Sequence, residues 1–178
     1  NDKKDGKGIY ISIDGYKYSG DFKDGAREGK GDITYKNGDK YHGQWESDKY
    51  NGKGTYYFHD GSIYEGDWKD NKLNGFGIFT NANGEIYEGD YKDNIRDGYG
   101  KYYYENGNRY EGQYMNDKQE GVGTMFFING DKYIGSFKDE QMEGKGTYYY
   151  KNGDRYEGEI SHNIKHGKIK SGQIYLNS

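Results

Sequence analysis

Large apolar side chains alternate with polar ones in short runs, and the runs recur every 23 residues. Tyr-x-Gly begins at Tyr18, Tyr41, Tyr64, Tyr87, Tyr110, Tyr133 and Tyr156, with no insertion or deletion between copies. Two positions after each glycine stands Phe22, Trp45, Trp68, Tyr91, Tyr114, Phe137 or Ile160. Gly-x-Gly follows in register at Gly29/Gly31, Gly52/Gly54, Gly75/Gly77, Gly98/Gly100, Gly121/Gly123 and Gly144/Gly146. Asn-Gly or Asp-Gly closes the units at Gly38, Gly61, Gly84, Gly107, Gly130 and Gly153. Alternation with period two predicts strands, and this density of glycine leaves no helical pattern standing. Each unit reads as two strands joined by six polar residues, such as Lys23–Glu28, and the chain as a β-meander of hairpins.

Parity predicts the turn at Asn37-Gly38. A two-residue turn would set Tyr41 opposite Thr34 and send the aromatics of the two strands to opposite faces. A three-residue loop, Lys36-Asn37-Gly38 with Gly38 left-handed, sets Ile33 opposite Tyr41, Gly31 opposite Gly43 and Gly29 opposite Trp45. All the rings then share one face and pack where glycine offers no Cβ. The expected architecture is all-β: an elongated single-layer antiparallel meander of consecutive 23-residue hairpins. Two strands per unit would advance it roughly 10 Å per repeat. One array spans residues 1–178: a partial repeat at 1–17, six full repeats at 18–155 and a degenerate capping repeat at 156–178. The opening half repeat is expected to belong to a longer array.

Composition changes this picture in one respect. Apolar residues are 30% and mean hydropathy is -1.36, values typical of disorder, yet aromatics are 18%, with 23 Tyr against 31 Gly. Each ring buries roughly 150–250 Å², so rings over glycine replace an aliphatic core. With no cysteine, a disulfide framework, a Cys-based zinc site and a thiol nucleophile are excluded. A net charge of -4 disfavours nucleic acid as a partner.

The run Tyr64-Glu65-Gly66-Asp67-Trp68-Lys69-Asp70-Asn71, followed by Gly75-x-Gly77 and Asn83-Gly84, resembles the MORN (membrane occupation and recognition nexus) repeat. The resemblance recurs in register over nearly the whole chain. It implies single-layer sheets of hairpins acting as scaffolds and adaptors at membrane–cytoskeleton junctions, ciliary structures and protozoan cortical rings. It further implies homodimers, partner segments bound along the sheet and, for some members, phosphoinositide binding. Family members often carry Pro before Asp-Gly; Lys36, His59, Ala82, Glu105, Ile128 and Lys151 stand there instead, and a type I turn tolerates them.

Two candidate binding faces follow. The ring face carries Tyr41, Trp45, Tyr56 and Phe58, then Tyr64, Trp68 and Phe79, then Tyr87, Tyr91, Tyr102 and Tyr104, then Tyr110 and Tyr114. These rings are the core and at the same time a groove for a partner segment with apolar anchors. On the opposite face the middle of Gly-x-Gly runs Lys30, Lys53, Phe76, Tyr99, Val122, Lys145, with Ile78, Tyr103 and Phe126 beside the apolar centre. Phe76, Ile78, Tyr99, Tyr103, Val122 and Phe126 form a candidate contact patch for a second copy. The plainer alternative is a solvated face with cation–π pairs Tyr103–Arg109 and Phe126–Lys132.

Other chemistry finds little support. Acidic pairs such as Glu65/Asp67 and Glu88/Asp90 recur with the repeat and read as solvent-face residues rather than an acid/base pair. His162 and His166 lie in a loop without a third ligand, so no metal is expected. Choline-type aromatic cages need more tryptophan than Trp45 and Trp68. Lys165, Lys168 and Lys170 are the one basic cluster, too small to attract acidic lipid strongly. The sequence therefore points to a non-enzymatic scaffold or adaptor without cofactor, metal or nucleic acid. It would pair as a homodimer and bind a partner protein or peptide at a cytoplasmic, cytoskeletal or cortical site, with weak or indirect membrane association. Phosphoinositide recognition is the alternative.

Overall fold

A computed structural model describes residues 4–167, in which every element is a strand. The chain divides into two compact units, residues 1–95 and 96–178. The first carries β1 (Gly6–Ile11), β2 (Lys17–Lys23), β3 (Ala26–Thr34), β4 (Lys40–Glu46), β5 (Lys49–Tyr57), β6 (Ile63–Lys69), β7 (Lys72–Thr80) and β8 (Ile86–Lys92). The second carries β9 (Ile95–Tyr103, its first residue the last of the first unit), β10 (Arg109–Met115), β11 (Lys118–Phe126), β12 (Lys132–Lys138), β13 (Gln141–Tyr149), β14 (Arg155–Ser161) and β15 (Ile164–His166). Inside each unit every strand pairs antiparallel with its neighbours in the chain.

The register between β3 and β4 sets Ile33 opposite Tyr41, Gly31 opposite Gly43 and Gly29 opposite Trp45. The loop is the three-residue form: the Gly38 N–H donates to the Tyr35 carbonyl at 3.0 Å, with Gly38 at φ +96°. The other connection is not the six-residue polar loop expected from sequence. Ser47-Asp48, Asp70-Asn71, Asn116-Asp117, Asp139-Glu140 and His162-Asn163 are two-residue turns with both residues at positive φ, the type I′ hairpin geometry that matches strand twist. The returning strand therefore starts at once, at Lys49 or Lys72, and takes Tyr50 and Leu73 into the sheet. The surplus residues are absorbed by a bulge, where the pairing shifts between Gly43 and Trp45. Gly52, at φ +83°, makes that bulge, and the Gln44 side chain accepts the Lys53 N–H beside it at 2.6 Å.

A single layer has no second sheet to bury its rings against, so they bury against its own backbone. Tyr18, Tyr41, Tyr64, Tyr110, Tyr133 and Tyr156 are each less than 2% exposed. The Tyr41 ring lies along its strand over Gly43 and Gly54, and a Cβ on Gly54 would meet its Cε2 and Cζ atoms at 2.5 Å. The phenol also explains why the position is Tyr and not Phe. Its hydroxyl donates to the carbonyl three residues on: Tyr41 to Gln44 at 2.8 Å, Tyr64 to Asp67 at 3.0 Å, Tyr133 to Ser136 at 3.0 Å. The indole N–H groups of Trp45 and Trp68 donate to the Gly31 and Gly54 carbonyls at 3.0 and 3.1 Å. Rings thus fill the core while their polar tips satisfy backbone oxygens.

Candidate functional site

The ring-face residues fall into two groups. Tyr41, Tyr64, Tyr87 and Tyr91 in the first unit, and Tyr110 and Tyr114 in the second, are sealed core rather than groove. Tyr56, Phe58 and Phe79, and in the second unit Tyr102 and Tyr104, are half-buried and present ring surface. In the first unit Tyr56 and Phe58 flank a depression of about 490 Å³ whose floor includes Trp45 and Trp68. Phe58 stands 4.6 Å from Tyr56 and 5.6 Å from Phe79, centroid to centroid.

Several lining residues were not anticipated: Arg27, Tyr50 and Leu73 on the floor, Tyr35 at the loop side, and Asp48, Asn71 and Asn94 along the turn side. Arg27, Tyr50 and Leu73 are equivalent positions, 23 apart, directly across from Phe22, Trp45 and Trp68. Reading them as loop concealed them; a two-residue turn would have put them on the ring face. Each is clamped by the next repeat's turn. Asp48 Oδ1 accepts the Arg27 N–H at 3.0 Å, Asn71 Oδ1 the Tyr50 N–H at 2.8 Å, and Asn94 Oδ1 the Leu73 N–H at 2.8 Å.

Polar groups in the depression are held in place. The Arg27 guanidinium lies 4.3 Å from the Trp45 ring centroid, with Nε 2.8 Å from Asp48 Oδ1. The Tyr35 and Tyr50 hydroxyls bond each other, and Tyr56 donates to Asp39 Oδ2 at 2.9 Å. Burial pushes both the Tyr50 and Tyr56 phenols up, reinforced by their hydroxyl partners. Burial also works against ionisation of Asp39, but hydrogen bonds from Asn37, the His59 ring and backbone, and Tyr56 outweigh it and hold the carboxyl at about 2.

On the opposite face Phe76 and Ile78 of the first unit are 46% and 38% exposed, and Tyr99 and Val122 of the second 53% and 62%. Tyr103 and Phe126 differ from the open patch expected, because they flank the Arg109 guanidinium at 6.0 and 4.3 Å. Lys132 lies over Tyr149 at 4.9 Å rather than over the Phe126 ring that it pairs with in register. A second depression, about 590 Å³, is lined by Phe76, Ile78, His42, Lys30, Lys53 and Glu65.

The acidic residues have structural roles that the solvent-face reading missed. Asp67 Oδ2 accepts the Phe76 N–H at 3.1 Å, and its Oδ1 lies 2.8 Å from Lys53. Lysines are likewise engaged: Lys49 with Asp70 at 2.8 Å, Lys72 with Asp93 at 3.1 Å, Lys118 with Asp139 at 2.5 Å. Of the basic cluster near the C-terminus, Lys165 sits over the Tyr148 ring at 3.4 Å; Lys168 and Lys170 lie outside the described residues. His162 occupies a turn, its Nδ1 2.9 Å from Ser161 Oγ. No group of three metal-ligating side chains occurs among the described residues, and none of them forms a helix long and apolar enough to cross a membrane.

Comparison with known proteins gives one family match. The MORN repeat matches residues 1–15, 18–40, 41–63, 64–86, 87–109, 110–132, 133–155 and 156–168. No curated protein sequence matches the chain. Among solved structures, the SAS-4 (dCPAP) TCP domain of Drosophila melanogaster, in complex with a proline-rich motif of Ana2 (dSTIL), is similar at 15% identity and a TM-score of 0.48, covering 86% of this chain and 90% of that one. The CPAP G-box domain is similar at 12% identity and a TM-score of 0.44, covering 96% and 100%.

Proposed function

The chain belongs to the MORN-repeat family, and from this we propose that it is a non-enzymatic scaffold at a junction between membrane and cytoskeleton. The ring-face depression binds a partner protein, and the opposite face binds a second copy. The observation that carries this reading is the pair of uncovered faces. Within each unit the strands pair only with chain neighbours, so apolar side chains on either face have no second layer over them. Tyr56, Phe58 and Phe79 stand half-buried on one side, Phe76 and Ile78 exposed on the other. Aromatic side chains such as tyrosine and tryptophan are enriched among the residues that carry most of the binding energy of protein interfaces. A phosphoinositide site is disfavoured, because Lys49, Lys53, Lys72 and Lys118 are paired with carboxylates and the sequence carries no run of four or more basic residues.

Light scattering on the eluting protein tests the self-association. The chain is expected at twice its 20.6 kDa mass, and a variant with Phe76→Lys and Ile78→Lys at its monomer mass. A monomeric wild-type chain, or a variant of unchanged mass, refutes pairing through this face.

A further inference from the structure

We propose that the ring-face groove of the first unit binds a proline-rich segment of another protein in the polyproline-II conformation, running across the strands. This rests on the reading of that groove as a partner site and names its occupant.

Spacing is the first argument. The floor residues Arg27, Tyr50 and Leu73 recur every 23 positions, as do Asp48, Asn71 and Asn94 along the turn side. One repeat contributes two strands, an advance of about 9.4–9.8 Å. One turn of polyproline II, three residues at about 3.1 Å each, advances about 9.3 Å. Every third residue of such a ligand therefore meets an equivalent gap between rings. An α-helix returns to the same face after seven residues, about 10.5 Å, and slips by roughly 1 Å at each repeat.

Hydrogen-bond chemistry is the second. The Oδ1 atoms of Asn71 and Asn94 accept the Tyr50 and Leu73 N–H groups, which fixes each carboxamide with its NH₂ edge as a donor. The Tyr35–Tyr50 hydroxyl pair uses one hydrogen between the two oxygens and leaves the other to donate. The groove is rich in donors. A proline-rich strand in this conformation has no internal hydrogen bonds, and its prolines present carbonyl acceptors without N–H groups. A helix has already satisfied its carbonyls.

The walls complete the match: the half-buried rings of Tyr56 and Phe58 stand beside a floor of buried Trp45 and Trp68 and suit flat pyrrolidine rings. The chain has no proline, so none of its 178 residues supplies the core of such a segment.

Both tryptophans of the chain, Trp45 and Trp68, line this groove, so their emission reports occupancy directly. Decaproline titrated into the full chain should change that emission saturably, while an amphipathic, proline-free helical peptide of equal length should not. Asn71→Asp and Asn94→Asp keep the acceptor oxygen, as Asp48 does natively, and remove the donor edge. Each should weaken decaproline binding about fivefold, the worth of one hydrogen bond, with the melting temperature unchanged. Unchanged emission, or wild-type affinity in both Asp variants, overturns the proposal. Binding of the helical peptide alone overturns this occupant and leaves the partner groove standing. Silence with both peptides overturns the occupant, while the self-association half of the scaffold reading is judged separately by light scattering.

Discussion

The Tyr41 ring meets the Trp68 indole edge to face, with centroids 5.5 Å apart and planes at 87°, although 27 positions separate them. Tyr18 and Trp45 make the same contact one repeat earlier at 5.2 Å, and Tyr64 and Tyr91 one repeat later at 5.4 Å. Inside each strand the tyrosine also meets the ring four residues on, as Tyr64 meets Trp68 at 5.2 Å. The rings therefore form a continuous herringbone through the first unit, and each joint couples one repeat to the next. A double-mutant cycle with Tyr41→Leu and Trp68→Leu should show a coupling of about 1 kcal/mol beyond the single losses. Additive losses in urea unfolding would mean that the two rings stabilise the sheet independently.

Two glycine-to-alanine substitutions separate crowding from backbone strain. A Cβ on Gly54 would collide with the Tyr41 ring at 2.5 Å, and one on Gly43 with the Gly54 Cα at 2.5 Å. Gly84 has open space around its Cβ position but sits at φ +89°. Gly84→Ala should cost about 1–2 kcal/mol, the left-handed penalty alone. Gly54→Ala should cost about 3 kcal/mol or more, since overpacking displaces a ring on which the repeat depends. Equal denaturation midpoints for the two variants would contradict this account of the core.

Much of this core was legible in the chain. The parity of Gly31, Ile33, Tyr41 and Gly43 about Asn37-Gly38 admits one loop length, and the observed register follows it. The second turn was not legible, because its positive-φ positions carry Ser47, Asp48, Asp70, Asn71, Asp139 and Glu140. Only the first copy among the described residues, Asp24-Gly25, ends in glycine, the usual signal for such a turn. Losing that turn meant losing Tyr50 and Leu73, and with them the floor of the groove. The tyrosine hydroxyls were hidden for another reason. Their acceptors are backbone carbonyls, which leave no residue pattern.

Glu140, like Gly25, breaks the pattern of Asp and Asn in that turn, and it offers a stabilising change. At the equivalent position Asp48, Asn71, Asn94, Asp117 and Asn163 each use Oδ1 to accept the N–H of the preceding repeat. Glu140 stands there at φ +67°, where Asn and Asp are tolerated far better than longer side chains. Glu140→Asn should relieve the backbone and add a bond to the Gln119 N–H, raising stability by about 1 kcal/mol. A midpoint that stays level or falls would show that the turn is not strained.

Asp39 sets an acid limit. Its carboxyl lies at about 2, against an ordinary 3.8. A depressed carboxyl favours folding above its unfolded pKa, and that contribution disappears as pH falls through the folded value. The loss should therefore run from about pH 4 down to about pH 2, as protonation breaks the bonds to Tyr56, Asn37 and His59. Asp39→Asn should lower stability at neutral pH and flatten the acid limb by up to one proton. An unchanged slope would assign the limb to other carboxylates, with Asp131, lowered through its bond to the Lys151 N–H, the first to examine.

At the alkaline end the phenols decide. Burial pushes Tyr18 up to about 12, with the Asp21 carboxylate adding to it, and burial likewise pushes Tyr133 to about 12, against an ordinary 10.0. Burial raises Tyr41, Tyr64, Tyr114 and Tyr148 as well. The sign is that of a raised group: below pH 10 both states are neutral, and between 10 and 12 the unfolded chain releases protons that the folded chain retains. Stability is thus complete below about pH 10 and is lost as pH rises through about 12. Because the same rings are the core, their ionisation and the loss of sheet should be one event. Tyrosinate absorbance and circular dichroism should change together in a single steep transition. Tyr18→Phe should make it shallower, while costing about 1 kcal/mol at neutral pH through the lost hydroxyl bond to the Asp21 carbonyl. Gradual ionisation near pH 10 with the sheet intact would mean that water reaches these hydroxyls, and that the ring layer is not the sealed core its exposure describes.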